Sequence, residues 1–358
     1  MTTPRQVTIA EGEGGQRLDR WFKRRFPALG HGRLEKLLRT GQVRLDGKRV
    51  KAGVRLRSGQ ALRVPPLAAE AQPHPIGPRR AETRRERPPP AEDLAWLEAA
   101  VLYRDDWVIA LDKPAGLAVQ GGSGQRRHLD AMLGALRFGA EETPRLVHRL
   151  DKDTSGVLLL ARSREAARAL TRAFRDTRAE KTYWALVASR PRKAVDLIDL
   201  PLAKLAGPEG ERMGPVDAPQ RPAVTLLAEA ARTTNRGPAW LVLRPLTGRT
   251  HQLRVHCAAL GHPILGDGKY GGREAFPKAG PRVARLQLHA REIALPHPED
   301  GTTLRVAAPL PPDMAETWAA CGFDQAEGEK TAERALSRYL DSLPKSRLAA
   351  LLGGEGTA

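Results

Sequence analysis

The sequence predicts an α+β protein, with a small α+β unit at the N-terminus and then a larger domain on a mixed, mostly antiparallel sheet. Three observations carry this expectation. From Trp107 to Ala307, β-rich stretches alternate with helical ones but lack the regular strand–helix–strand repeat of a doubly wound parallel sheet. Before Val64, two short helical patterns precede paired β-like segments. Between these regions, residues 65–92 hold 8 of the chain's 29 prolines and few apolar residues.

In the first region, Leu18, Trp21, Phe22 and Phe26 recur at helical spacing, and Pro27 ends the run. A second helix is expected from Arg33 to Thr40, with Leu34, Leu37 and Leu38 inward and Gly41 beyond its end. Residues 43–50 then read as a hairpin turning at Asp46-Gly47, followed by a strand at Ala61–Val64. The proline-rich segment, which also mixes Arg with Glu, reads as a flexible linker, because proline blocks both helix and sheet pairing. In the larger domain, strands are expected at Trp107–Leu111, Val157–Ala161, Lys181–Ala188, Leu241–Leu246, Arg291–Leu295 and Thr303–Ala307. Helices are expected at Arg164–Thr177, with Ala167, Leu170 and Phe174 inward, and at His251–Leu260, with Thr250 as N-cap and Gly261 closing. A tail helix is expected over 330–352. The expected division is therefore 1–64, a linker 65–92, a main domain 93–310 and a C-terminal helical extension 311–358.

Charge narrows the function. The chain carries a formal +18 over 358 residues, and residues 1–64 alone hold 16 Lys and Arg against 5 Asp and Glu. An excess concentrated in under a fifth of the length favours a polyanionic partner and marks that unit as a binding module. Two cysteines, Cys257 and Cys321, are too few for a disulfide framework or a cysteine-based zinc site. The first residues lack the apolar core of a signal peptide, and no apolar run approaches the roughly 20 residues needed to span a bilayer. A cytoplasmic protein with no membrane partner is expected. No oligomer signal is read, so a monomer without an obligate protein partner is the default.

The most informative stretch is Val147-His-Arg-Leu-Asp-Lys-Asp-Thr-Ser-Gly-Val-Leu-Leu-Leu-Ala-Arg. A polar turn rich in ionisable groups feeds a buried strand. On residue types alone, Asp151 is either an active-site acid at a strand edge or one of several turn residues that bend the backbone. His251 and His256 are five apart and do not share a helix face as an i, i+4 metal pair would, so no metal site is assigned. Gly121-Gly-Ser-Gly has no following Gly-Lys-Ser/Thr and reads as a loop near the ligand rather than a nucleotide fingerprint.

Several motifs in one order resemble the ribosomal large subunit pseudouridine synthase family. His148-Arg149-Leu150-Asp151 with Thr154-Ser155-Gly156 is similar to its central signature. Ile109-Ala-Leu-Asp-Lys-Pro-Ala-Gly-Leu-Ala-Val, Glu180-Lys-Thr-Tyr-Trp-Ala-Leu-Val and Leu246-Thr-Gly-Arg-Thr-His-Gln-Leu-Arg-Val-His resemble its flanking motifs. Gly266-Asp267-Gly-Lys-Tyr270-Gly271 and Leu286-Gln-Leu-His-Ala follow in the family's order, and the likeness covers about Leu94 to Pro309. The N-terminal unit resembles the S4 RNA-binding domain at Arg17-Leu-Asp and Gly41-Gln-Val-Arg-Leu-Asp-Gly, departing from it at Gly59-Gln60 where an acidic residue usually follows the glycine. The loop Ala118-Val-Gln-Gly-Gly-Ser-Gly, with His128-Leu-Asp after it, resembles the synthase C subgroup, which acts on several uridines of 23S rRNA.

The resemblance implies a pseudouridine synthase fold and an isomerisation of uridine in RNA that is redox-neutral and needs no cofactor. It implies that Asp151 attacks the ribose or takes its 2′ proton, and that Arg254 pairs with Asp151 to keep it ionised and oriented. Tyr183 would stack on the uracil and help move its C5 proton. Arg149, beside the acid, would fill the gap left by a flipped-out uridine, and His148 would lie against the RNA. From the S4-like unit, Arg17, Arg33, Arg44 and Lys48 would contact RNA. Two other readings stay open: another rRNA or tRNA specificity, and a non-catalytic RNA-binding assembly factor.

Overall fold

A run that is apolar at every position, as Val157–Ala161 is, can be a strand only if both faces of its sheet are covered. We describe a computed structural model covering residues 4–26, 29–67, 91–121, 127–207, 210–218, 222–233, 237–276, 281 and 283–344. The chain divides into two units, Met1–Arg85 and Glu86–Ala358. Most of the expected linker, the Gly122–Gly124 part of the expected loop and the tail beyond residue 344 lie outside the described residues.

The first unit orders its elements as β1 (Arg5–Thr8), α1 (Leu18–Arg25), α2 (His31–Arg39), β2 (Arg44–Leu45) and β3 (Ala61–Val64). Its sheet runs β1-β3-β2, antiparallel throughout. Leu18, Trp21, Phe22 and Phe26 are buried together with Leu34, Leu38 and Leu62, as the helical spacing requires. The Asp46-Gly47 turn forms with positive φ at both residues (50° and 75°), but the strand expected after it does not. Leu45 makes only an isolated bridge to Lys48, because β3 takes the edge of β2 instead. Asp46 fixes that choice: its carboxylate accepts from the Ala61 N–H at 2.8 Å and from the Gln60 amide at 2.7 Å. At the Gly59-Gln60 departure, the Gln60 side-chain oxygen accepts from the Arg57 N–H at 2.7 Å and closes the turn.

The second unit begins with α3 (Ala91–Ala99), β4 (Val101–Arg104), β5 (Val108–Lys113), two 3-10 turns (Leu129–Ala131 and Leu133–Arg137), β6 (Arg145–Leu146) and β7 (Ser155–Ala161). It continues with α4 (Arg164–Arg175), β8 (Glu180–Val187), β9 (Val195–Asp199), β10 (Leu202–Gly207), β11 (Gly210–Pro215), β12 (Val224–Arg232) and β13 (Ala239–Pro245). Then come α5 (Gln252–Ala259), β14 (Leu288–Pro296), β15 (Thr303–Ala307), α6 (Pro312–Ala320) and α7 (Gln325–Ser342). The large sheet runs β4-β5-β7-β14-β8-β13-β12-β9, with β6 on β7 and β15 on β14; β10 and β11 form a separate hairpin. Its pairings are antiparallel except β7 with β14, so the fold is α+β on a mixed sheet.

The two faces of β7 bury different sets. Val157, Leu159 and Ala161 pack under α4 against Ala166 and Leu170. Leu158 and Leu160 pack on the opposite side with Ile109, Leu117 and Leu133. Ser163 caps α4 by accepting from the Ala166 N–H at 3.0 Å, which turns Ala166, Leu170 and Ala173 fully inward and leaves Ala167 and Phe174 half-buried. The expected cap of α5 is corrected: Thr250 makes no cap, and His251 occupies that position with a left-handed φ of 54°.

The helices after residue 311 belong to the core of the sheet. Met314, Trp318, Ala332 and Leu336 are buried with Trp184 and Trp240, and the three tryptophans form an edge-to-face chain with centroids 4.7 and 6.1 Å apart. α7 begins at Gln325, earlier than the apolar spacing suggested, with Asp324 as its N-cap. Gly328 lets α7 lie on Trp240: a Cβ there would sit 2.1 Å from a ring carbon. Gly328→Ala is therefore expected to destabilise the protein by about 1–3 kcal/mol through overpacking, read as a lower midpoint in urea. An unchanged midpoint would contradict this packing.

Candidate active site

Asp151 stands in the turn that enters β7, and the residues around it explain why the turn is rigid. Leu150 before it is buried. The Thr154 N–H donates to the Asp151 carbonyl at 3.2 Å, and the Gly116 N–H donates to the Lys152 carbonyl at 2.9 Å. Lys113, 1 % exposed, donates its ammonium to the carbonyls of Pro114 (2.7 Å), Leu117 (2.9 Å) and Lys152 (3.1 Å). Burial pushes Lys113 down to about 7, against the attraction of Asp153 and Asp151. Ser155 is buried with its hydroxyl 3.0 Å from His289 Nδ1. Gly156 has a φ of 109°, and a Cβ there would meet the Ala290 carbonyl oxygen at 2.2 Å. Glycine is required where β7 and β14 pair in parallel.

The other wall comes from α5 and the loop after it. Gln252 pins the start of α5 to β12 by donating to the Val224 carbonyl (2.9 Å) and Thr225 Oγ1 (3.0 Å), while its oxygen accepts from Thr247 and the Arg249 N–H. Arg254, two residues on, is buried. Its Nε and Nη2 donate to Asp267 at 2.8 and 2.7 Å, and its Nη1 lies 3.9 Å from Asp151 Oδ2. Arg254 reaches Asp151 as a long ion pair, while its tight partner is Asp267, whose grip aims the remaining nitrogen at Asp151. Burial works against the Arg254 charge, but hydrogen bonds and charge from Asp267, with Asp151 beyond, outweigh it and raise its pKa above the usual value. Asp267 was legible only as the carboxylate of Gly266-Asp-Gly, with no sequence signal for its partner.

Asp151, its side chain 19 % exposed, opens on a cavity of about 590 Å³, within the range of about 300–1,000 Å³ usual for ligand sites. Tyr183, Lys181, Arg149 and Leu288 line it with Asp151 and Arg254. Tyr183 and Lys181 alternate on β8, so the period of two delivers both to the same face. The Tyr183 hydroxyl has no hydrogen-bond partner among the described residues; burial, then the charge of Asp151, pushes its pKa above the ordinary tyrosine value. Lys181 is unpaired among the described residues and is held below its usual pKa by burial alone. Sequence reasoning assigned it no role.

Arg149 is exposed at the cavity. His148 lines the same cavity and is also held by the fold: its Nε2 accepts from the Leu159 N–H at 2.8 Å, and its ring stacks on Phe174 at 4.5 Å. Burial, then Lys181, pushes it down to about 3, so it is neutral. His256 is likewise structural, buried between Thr225 Oγ1 (3.0 Å) and the Leu200 carbonyl (3.2 Å). His251 faces the other way: its Nε2 lies 3.8 Å from Asp151 Oδ1 and its Nδ1 2.6 Å from the Tyr270 hydroxyl. Among the described residues, no three His, Cys, Asp or Glu side chains converge as metal ligands.

In the first unit, Arg33 and Lys48 are exposed. Arg17 is bound by Asp19 through two hydrogen bonds (3.1 and 2.7 Å). Arg44 spends its guanidinium on the Gly41 and Gly47 carbonyls at 3.1 and 3.3 Å. These two are therefore engaged within the unit, whereas Arg33 and Lys48 are exposed.

A lone acid beside a buried guanidinium and a tyrosine, opening on a cationic cavity, suits chemistry on an anionic polymer. Residues 107–259 match the family model described as RNA pseudouridylate synthase. The chain is 38% identical over 309 residues to the ribosomal large subunit pseudouridine synthase C of Salmonella typhi, covering 85% of this chain and 92% of that one. It is 37% identical to the protein of the same name from Escherichia coli strain K12, with the same coverage. Among solved structures, human RNA pseudouridylate synthase domain containing 4 superposes with a TM-score of 0.54 at 26% identity, over 65% of this chain and 97% of that one. The chain belongs to the RNA pseudouridylate synthase family and is an RNA pseudouridine synthase, an enzyme that isomerises uridine in RNA. No described helix is long and apolar enough to cross a membrane.

Asp267→Asn would leave the buried Arg254 without its charged partner. The expected result is a stability loss on the order of 3 kcal/mol, together with slower pseudouridine formation. Unchanged unfolding and turnover would remove Asp267 from this site.

Proposed function

We propose that the chain converts specific uridines of 23S rRNA to pseudouridine, with Asp151 as the required carboxylate acting on a nucleoside flipped into the cavity. The substrate is supported by the names of its relatives, which are large-subunit synthases over nearly their full length. The observation that carries the catalytic assignment is the position of Asp151 on the cavity wall, within 3.9 Å of a guanidinium that Asp267 prevents from turning away.

Both routes open to such an acid conserve atoms. Asp151 either bonds to C1′ or removes the proton from C2′. In each case the C1′–N1 bond breaks and its electron pair leaves with the uracil. The base turns and C5 bonds to C1′ as the Asp151–C1′ bond breaks and returns its electron pair to the carboxylate, or, in the second route, as C2′ regains its proton. C5 then loses a proton and N1 gains one, so the product differs from the substrate only in connectivity. Tyr183 serves as a stacking surface for the uracil and helps move its C5 proton. Arg149 occupies the place vacated in the RNA stack. Exposed Arg33 and Lys48 give the first unit, read as an S4-type module, its phosphate contacts. The excess of positive charge supports RNA as the partner, and a redox-neutral isomerisation needs no cofactor; the enzyme is read as a monomer acting in the cytoplasm.

Asp151→Asn is expected to bind a 23S rRNA transcript with wild-type affinity and to release no tritium from 5-tritiated uridine above background. Deleting the gene is expected to remove pseudouridine at a few 23S positions. Turnover by the variant would refute the catalytic assignment, and loss confined to tRNA would refute the substrate.

A further inference from the structure

His251 is held in a backbone conformation that few side chains adopt. Its φ of 54° lies in the left-handed region, at the junction where the Thr250 turn becomes α5. That geometry turns its ring away from the helix and between two partners. Nδ1 is 2.6 Å from the Tyr270 hydroxyl, and Nε2 is 3.8 Å from Asp151 Oδ1. The Tyr270 oxygen also accepts from the Met213 backbone N–H at 3.4 Å, which ties the arrangement to β11.

Proton accounting fixes the tautomer. Tyr270 is held above its usual pKa, by burial first, and keeps its proton. Its oxygen already accepts from Met213, so its own O–H is available to donate to Nδ1. An imidazole that accepts at Nδ1 carries its proton at Nε2. The opposite tautomer would turn a lone pair toward the Asp151 carboxylate. Both considerations give an Nε2–H directed at Oδ1, opposite the Arg254 guanidinium at Oδ2.

We propose that His251 is a positioning residue for Asp151: a neutral imidazole, locked as the Nε2–H tautomer by Tyr270, that supplies the second donor to the carboxylate. The proposal rests on the catalytic reading of Asp151 given above. Arg254 and His251 together hold both carboxylate oxygens, so the acid cannot rotate out of line with the ribose. A neutral second donor orients the acid without adding a second full cation, which would make it a weaker base and nucleophile. Both gaps exceed hydrogen-bond length and must close by about 1 Å when RNA fills the cavity for the two donors to hold the acid.

Burial is the first cause that lowers the His251 pKa. The Tyr270 hydrogen bond acts in the same direction, because protonating Nδ1 would break it. Of the charged groups facing the ring, Asp151 and Asp267 favour the imidazolium while Arg254 and Lys269 oppose it. Lys152, Asp153 and Arg285 line the adjoining recess.

The test compares Tyr270→Phe, His251→Asn and Asp151→Asn in tritium release from a 5-tritiated 23S rRNA transcript across pH 5.5–8.5. Asparagine tolerates left-handed φ, so His251→Asn keeps the turn but falls short of Asp151. It is expected to lower kcat tenfold or more at every pH, with KM within twofold of wild type. Tyr270→Phe frees Nδ1, so His251 takes up a proton at a higher pH than in the wild type, while burial still holds it below its ordinary value. That variant is expected to lose rate at every pH, because the tautomer is no longer fixed, and to lose more on the acid side than the wild type does. Nitrogen NMR of the wild-type imidazole is expected to show Nδ1 bare and Nε2 protonated at pH 7, a result independent of variant folding. A wild-type kcat in His251→Asn, an unaltered pH profile in Tyr270→Phe, or the opposite tautomer overturns the proposal. Turnover by Asp151→Asn would instead overturn the reading beneath it.

Discussion

The ion pair between Arg254 and Asp267 is the constraint on which the site depends. A guanidinium buried on a helix is costly unless its donors are met, and Asp267 meets two of them in a bidentate grip. Asp267 is itself oriented by the Lys269 and Tyr270 N–H groups, each 3.2 Å from its Oδ1. One nitrogen of Arg254 is left over, and it faces Asp151. The acid thus receives a cation whose direction is set by the protein rather than by the acid itself, which leaves the acid free to face the ribose.

The sheet supplies the opposite half of the cavity. Ala290 on β14 pairs with Gly156 on β7 and with Tyr183 on β8. This row places Tyr183 beside the strand whose entry turn carries Asp151. The close approach at Gly156 and the ammonium of Lys113 beneath the turn keep the row and the acid in fixed relation. Rigid strands on one side and a pinned helix on the other allow a flipped nucleoside to be held with only a small closing movement of Arg254 and His251 onto the acid.

Much of this was legible in the residues, and the reasons differ by element. β7 could be read because an uninterrupted apolar run admits few other fates, and β15 because Thr303–Ala307 alternates cleanly. Strands β9 to β12 went unread: their segment carries prolines, glycines and mixed polar positions, and its pairing is set by neighbours distant in sequence. α6 was hidden because its buried Met314 and Trp318 acquire meaning only against Trp184 and Trp240. In the site, Asp151, Tyr183 and Arg254 were visible through motif order, whereas Asp267, Lys113 and Lys181 were not. Their roles depend on distance and burial, which spacing does not encode. His148 is a mixed case, since its place beside the motif suggested RNA and it lines the cavity, while the fold also holds its ring against Phe174 and Leu159.

The most direct test is the structure of the enzyme bound to a 23S rRNA fragment with 5-fluorouridine at a modified position. The account requires that nucleotide in the cavity between Tyr183 and Asp151, Arg254 still bidentate on Asp267, and its free nitrogen within about 3 Å of the acid. A uridine left stacked in the RNA, or an Arg254 released from Asp267 when RNA binds, would contradict it.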